Sequence, residues 1–168
     1  MKKTLLGIIC FLASIFSIQA QTLYGTTPNG GNEGGGTINK FIPAANSLTV
    51  VKSFESFPAN PVGNFIQASD GKLYGMTTNG GSSGVGVIFS FDPSSSTYTK
   101  LKDFDNTNGA NPYGSLVQAS DGKLYGMTVG GGSSGYGVIF SFDPSSSIYT
   151  KLIDFDNIKG GYPYGSLI

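Results

Sequence analysis

The sequence predicts an all-β fold, a β-propeller of four-stranded antiparallel blades of about 51 residues, with about three blades present in an incomplete ring. Three observations lead there. The first is a fixed period. Residues 63–101 and 114–152 are nearly the same words, and a Leu-Tyr-Gly triplet recurs at Leu23, Leu73 and Leu124. Asp103 and Asp154 stand 51 positions apart, as do Pro112 and Pro163. The second is composition. With 26 glycines and only 12% charged side chains, the chain suits many tight turns and not a helical bundle. The third is the pattern within each unit, four short apolar runs separated by Gly, Asp, Pro and Ser.

Residues 1–20 read as a secretory signal peptide. Lys2 and Lys3 supply the positive start, and Ala20 offers a small residue at the cut before Gln21. The apolar run between them, residues 5–18, is shorter than the roughly 20 residues that cross a bilayer. The single cysteine, Cys10, lies in this leader, so residues 21–168 carry no disulfide framework and no thiolate metal site. The expected localisation is export to the periplasm, the outer surface or the medium, with no retained membrane span.

Tandem repeats then occupy residues 21–168, as units over 22–55, 63–105 and 114–156, with the start of a next strand at 164–168. In the second unit the strands are A (65–69), B (72–77), C (87–92) and D (97–102). Asp70-Gly71 and Asp121-Gly122 separate A from B and predict two-residue type I′ turns, because Gly accepts a positive φ. A Gly/Ser loop joins B to C at 79–84 and 130–135. Pro93 and Pro144 mark the exit from C, since proline cannot donate to a ladder. Strand C, Val87-Ile-Phe-Ser-Phe91, is apolar on both faces, so both faces need cover from neighbouring units. In strand D, Tyr98, Lys100 and Lys102 share one face and Thr99 and Leu101 the other, which reads as an edge protected by lysines.

The first unit opens at strand B (22–27), followed by C (37–42) and D (48–52), with no strand A ahead of them. Three blades are fewer than the usual four to eight. The sequence therefore also predicts a fragment, with further repeats beyond Ile168. A Greek-key sandwich is the competing fold, but it does not explain near-identical units of one blade's size.

Composition excludes several functions. The ten basic residues are all Lys and balance ten acids, so no basic face exists to neutralise nucleic-acid phosphates. Without His, the chain lacks the commonest general base and the usual zinc ligand. The expectation is no catalytic, cofactor-binding or metal-binding residue, and no cofactor. Residues 130–135 satisfy G-x-G-x-x-G formally, but a strand follows where a dinucleotide site needs a helix. Residues 103–109 are rich in oxygen ligands, yet they miss the EF-hand spacing. Lys159 places a cation in the third copy, and the first copy offers only residues 53–58. The pairs Asp103/Asp105 and Asp154/Asp156 could face one way if extended, but glycosidase carboxylates come from separated elements.

Tyr74 and Tyr125 are expected to pack between blades, each hydroxyl finding a partner at the rim. Strand polarity puts the long D–A connections and the B–C loops on one face, and the tight turns on the other. Loops on a rigid scaffold are where binding resides. If a ligand binds, the candidate residues are Asn106, Asn108, Asn111 and Tyr113 with their counterparts, since amides and an aromatic ring suit a sugar. The partner would be an extracellular glycan or protein, and not a nucleic acid.

With Leu-Tyr-Gly-Met-Thr, Gly-Val-Ile-Phe, Asn-Pro-Tyr-Gly-Ser-Leu and Ser-Asp-Gly-Lys-Leu-Tyr-Gly recurring together, the unit resembles the GloVer tandem-repeat family of bacterial exported proteins across nearly all of residues 22–168. The resemblance implies propellers joined to C-terminal sorting or anchoring segments, and it assigns no catalytic residue. Residues 90–101 are also similar to the end of a kelch repeat, with Tyr98 and Tyr149 where kelch units carry Trp. The functional expectation is an exported, non-catalytic repeat scaffold, structural or ligand-binding, at the cell surface or outside the cell. The alternatives are a carbohydrate-binding propeller module and the non-catalytic propeller part of a larger secreted enzyme. Open end blades expose apolar surface, so residues 21–168 alone are expected to associate or unfold readily.

Overall fold

A computed structural model describes residues 21–54 and 60–168. The leader at 1–20 and the first-copy loop at 55–59 lie outside the described residues. The first sheet holds β1 (Leu23–Thr27), β2 (Thr37–Ile42) and β3 (Ser47–Ser53). The second holds β4 (Ile66–Gln67), β5 (Leu73–Thr77), β6 (Val87–Asp92) and β7 (Thr97–Asp103). The third repeats it with β8 (Val117–Gln118), β9 (Leu124–Thr128), β10 (Val138–Asp143) and β11 (Ile148–Asp154). Every sheet is an antiparallel meander in chain order, so each unit of the period is one small sheet. Residues 164–168 form no strand, although the sequence starts a further strand A there.

Two local expectations are corrected. The Asp-Gly turns are not type I′. Gly71 N donates to Ala68 O at 2.9 Å, and the left-handed φ falls on Gly71 (+81°) and Gly122 (+82°) and not on Asp70 or Asp121. This is a four-residue turn closed by a left-handed glycine. Asp70 stays in ordinary backbone space because its carboxylate takes the Lys72 N–H (3.0 Å) and the Tyr74 hydroxyl (2.7 Å). Strand D also breaks its alternation. Phe89 pairs with Lys100 and Ile88 with Lys102, leaving Leu101 as the extra residue of a bulge. Lys102 therefore leaves the face of Tyr98 and Lys100. The same slip occurs at Ile139/Phe140 in the third sheet and at Ile38/Asn39 in the first.

The sheets stack face to face, which is why strand C is apolar on both sides. One face of the second sheet carries Leu73, Val87, Phe89 and Phe91, which pack with Ile38 and Phe54 of the first unit. Its other face carries Tyr74, Met76 and Ile88, which pack with Leu124, Val138, Phe140 and Phe142 of the third. The residue after the first and second D strands crosses to the next sheet. Phe54 meets Phe89 and Tyr98 edge-on at 5.5 Å, and Phe104 meets Phe140 at 5.5 Å.

The glycines of the second and third Leu-Tyr-Gly triplets follow from this packing. Gly75 pairs with Phe89 and Gly126 with Phe140 across the ladder, and the phenyl rings lie over the glycines. A Cβ on Gly126 would sit 2.6 Å from Phe140 Cζ. In the first sheet Asn39 replaces the phenylalanine opposite Gly25, and a Cβ there would meet nothing within 4 Å.

Candidate binding face

The D–A connections and the B–C loops do meet on one face, and backbone hydrogen bonds stitch them. Asn111 takes a left-handed φ of +52°, a conformation that asparagine tolerates better than most residues. Its N–H donates to Val85 O of the preceding unit (2.8 Å), and its carbonyl accepts from Val129 N (3.2 Å). Its side-chain amide donates to Thr78 O at 2.8 Å, so Asn111 links the second and third units through three bonds. Asn60 repeats the backbone part, with its N–H on Gly35 O and its carbonyl under Thr78 N. Tyr162 stands at the matching position after the third sheet, its N–H on Tyr136 O (2.9 Å) and its ring 5.2 Å from that of Tyr136.

The other candidates are placed as follows. Asn106 also has a left-handed φ (+64°), and its carbonyl accepts from Gly132 N at 2.7 Å. Asn108 donates its backbone N–H and its side-chain amide to the two oxygens of Asp105 (2.8 and 2.9 Å). The Tyr149 hydroxyl donates to Asn108 O. Tyr113 points outward at 39% exposure and meets the 66%-exposed Tyr164 edge-on at 5.2 Å. The period carries this pair, since Val62, Tyr113 and Tyr164 follow Pro61, Pro112 and Pro163 in turn. The three asparagines thus hold loop architecture together, while the two tyrosines present ring surface to solvent.

The acids of this face are absorbed in the same way. Asp103 Oδ1 accepts from Ser82 N in the B–C loop of its own sheet (3.3 Å), and Asp103 Oδ2 pairs with Lys100 (2.9 Å). Asp154 Oδ1 accepts from Ser133 N (2.9 Å) and pairs with Lys151 (3.0 Å). The glycine before the Ser-Ser pair in these two loops is required by this contact, since a Cβ on Gly81 or Gly132 would lie 2.5 Å from the carboxylate oxygen. Asp105 turns instead to Asn108, and Asp156 to the N–H groups of Ile158 and Lys159. The two acids of each pair serve different turns. Among the described residues, no group of three or more His, Cys, Asp or Glu side chains is arranged to hold a metal.

Sequence reasoning missed a cleft of about 280 Å³ on the opposite, tight-turn face, between the second and third sheets. Asp70, Asp121 and Asp143 approach it from three turns. The signal was present as a repeated acid beside Gly or Pro, but only packing brings the turns together. Each carboxylate is committed locally. Asp121 accepts from Lys123 N (3.1 Å) and the Tyr125 hydroxyl (2.9 Å). Asp143 accepts from the Ser145 hydroxyl (2.7 Å) and backbone N–H (2.9 Å).

The hydrogen bonds from Ser145, with a further one from Ser146, pull the Asp143 carboxyl down to about 2. Ser94 likewise lowers Asp92. A carboxyl lowered on folding adds stability above its unfolded value of about 4, and that contribution is lost as pH falls through the folded value. Stability is therefore expected to fall between pH about 4 and about 2. Asp143→Asn should flatten this slope in denaturant titrations run across that window, and an unchanged slope would remove Asp143 from the account.

These observations define a class first: a tandem-repeat β protein of stacked meander sheets, propeller-like in construction. The chain belongs to the Gloeobacter/Verrucomicrobia repeat family, whose profile matches residues 13–168. No curated protein matches it. Among solved structures, the extracellular domain of a one-component system from B. thetaiotaomicron is similar at TM-score 0.57 and 18% identity, over 83% of this chain and 17% of that one. TolB from Acinetobacter baumannii matches at TM-score 0.49 and 14% identity, over 79% of this chain and 30% of its own. A protein from Bacteroides uniformis named as a 6-phosphogluconolactonase matches at TM-score 0.46 and 20% identity, over 74% and 34%. The chain thus spans about a third or less of the structures it matches. No helix among the described residues is long and apolar enough to cross a membrane.

Proposed function

We propose that this chain is an exported, non-catalytic β-propeller scaffold that binds an extracellular glycan through its long-loop face. The observation that carries the reading is the exposed Tyr113–Tyr164 pair. The neighbouring carboxylates and amides are engaged in turns, while two rings stand outward on a rigid, hydrogen-bonded base. Aromatic faces beside a polar loop suit a sugar, whose C–H surface stacks while its hydroxyls bond the backbone. Export is supported by the lysine-led apolar leader and by the extracellular origin of the B. thetaiotaomicron domain.

Retardation on immobilised polysaccharides tests this. The chain is expected to be held back by at least one glycan, and Tyr113→Ala is expected to abolish the retardation without lowering the melting temperature. Retention unchanged in both Tyr113→Ala and Tyr164→Ala would remove this face from the function. Amino-terminal sequencing of protein recovered outside the cytoplasm should begin near Gln21.

A further inference from the structure

We infer, resting on the glycan reading of the long-loop face, that the ligand is an uncharged chain whose successive sugar rings turn against one another, and that it lies across the units on a track in which Tyr113 and Tyr164 are consecutive steps. Backbone contact builds this track. Gly63, Gly114 and Gly165 recur with the period, and because they carry no Cβ the backbones of successive units come together there. A Cβ on Gly63 would lie 2.4 Å from Gly114 O, and one on Gly114 would lie 2.1 Å from Gly165 O. This contact fixes the step between the residues just ahead of the glycines. Tyr113 and Tyr164 therefore stand side by side, their ring centres 5.2 Å apart, although a whole sheet separates them in sequence. Tyr113 stays exposed with the neighbouring ring already against it.

The inclination of the two rings selects the shape of the ligand. Their planes meet at 62°. A flat ribbon such as cellulose presents its stacking faces in one plane, so it can lie on one of these rings but not on both. A winding chain such as amylose turns each sugar relative to the last and can follow both. Polar groups recur beside the rings, one residue past each glycine. Asn64 N donates to Ser115 Oγ (2.8 Å), and Ser115 N donates to Ser166 Oγ (2.8 Å). Accepting these bonds leaves each serine its hydroxyl proton to donate to a sugar oxygen.

Charge selects against an acidic glycan. The chain has no arginine, and the lysines of the D strands and the loops after them are already engaged. Lys100, Lys151 and Lys159 face Asp103, Asp154 and Asp156. Lys52 and Lys102 each lie 5.5 Å from a ring centre, those of Tyr98 and Tyr149. A uronate or sulfate ester needs a cation to replace its water, and on this face it would meet carboxylates whose lysines are spent.

One step of the track lacks its ring. Val62 stands where Tyr113 and Tyr164 stand in the later copies, ahead of Gly63 in the same close contact, and is 46% exposed. A tyrosine there would pack on Tyr113 as Tyr113 packs on Tyr164. The track can therefore be lengthened by one substitution, with the rest of the face left as it is.

Calorimetric titration of the full chain, in its naturally processed form, tests the proposal with malto- and laminari-oligosaccharides from the disaccharide to the heptaose. Affinity is expected to rise with length until both rings are spanned, and Tyr164→Ala should remove that rise. Val62→Tyr should strengthen binding of the heptaose by about tenfold and leave the disaccharide unchanged, because an added ring stacks only on a chain long enough to reach it. An unchanged melting curve is the folding control for Val62→Tyr, since Val62 is exposed. Stronger binding of cello-oligosaccharides, or retention on polygalacturonate, that is lost in Tyr113→Ala overturns the inference and keeps the glycan reading of the face. So does a Val62→Tyr variant that gains as much for the disaccharide as for the heptaose, or that gains for neither. Binding that is absent with every glycan, or indifferent to Tyr113→Ala and Tyr164→Ala alike, removes the glycan reading and this inference with it.

Discussion

Phe140→Ala is expected to destabilise the protein by about 3–5 kcal/mol, a large part of the stability of a domain this size. Phe140 is fully buried between the second and third sheets. It stacks on Tyr149 at 5.1 Å, takes the edge of Phe104 at 5.5 Å and roofs Gly126. Removing the ring leaves a cavity among side chains from two units, which a stack of small sheets cannot close by moving one element. The claim is sharpened by a double-mutant cycle. Gly126→Ala alone should cost about 1–3 kcal/mol, because its Cβ would lie 2.6 Å from Phe140 Cζ and 2.9 Å from Leu116 Cδ2. In the Phe140→Ala background the same methyl enters the vacated space, Leu116 can shift aside, and the cost should vanish. Urea denaturation of the four proteins measures the coupling, and additive effects would show that the ring does not sit over the glycine. Gly25→Ala is the control. It has open space opposite Asn39 and should be neutral or slightly stabilising.

Gly86→Ala should cost about 3 kcal/mol or more, and local geometry explains why. Gly86 has φ of +110°, and a Cβ would lie 2.3 Å from Thr77 O and 2.9 Å from Pro112 Cδ. Its N–H donates to Gly80 O and its carbonyl accepts from Phe104 N (both 3.0 Å). The residue cannot rotate away without releasing the loop that orients Phe104, or pushing off the proline of the next unit. Gly84→Ala is the comparison, since Gly84 has φ of +73° but nothing within 4 Å of a Cβ. Only the backbone preference should be lost there, about 1 kcal/mol. Equal losses in the two variants would show that crowding at Gly86 is not what requires the glycine.

The repeat was legible because its cause is local and recurs. Alternation and turn residues within residues 87–103 suffice to place β6 and β7, and their ends agree with the structure to within a residue. Strand A was over-read as residues 65–69, because only Ile66 and Gln67 pair with β5. The bulge at Leu101 was not legible either. A period of two assumes an unbroken ladder, and the extra residue is accommodated by a neighbouring sheet that the window does not contain.

The candidate loop divides on the same line. That Asn106, Asn108, Asn111 and Tyr113 share the long-loop face follows from strand polarity alone. What each residue does there does not follow. Asn111 bonds to Val85 and Thr78, which lie 26 and 33 positions earlier, and Tyr149 reaches Asn108 from 41 positions later. Such partners are chosen by the stacking of sheets, so composition could group the asparagines with the tyrosine while contacts separate them.

The sequence by itself determined the all-β class, the 51-residue period, the strand order and the side of each sheet that carries the long loops, because alternation and turn chemistry act over a few residues. Tertiary structure alone decided which faces meet, why a glycine lies under Phe89 and under Phe140, and which partners the acids take. Those outcomes depend on distances between units, and packing fixes such distances only when the sheets are stacked.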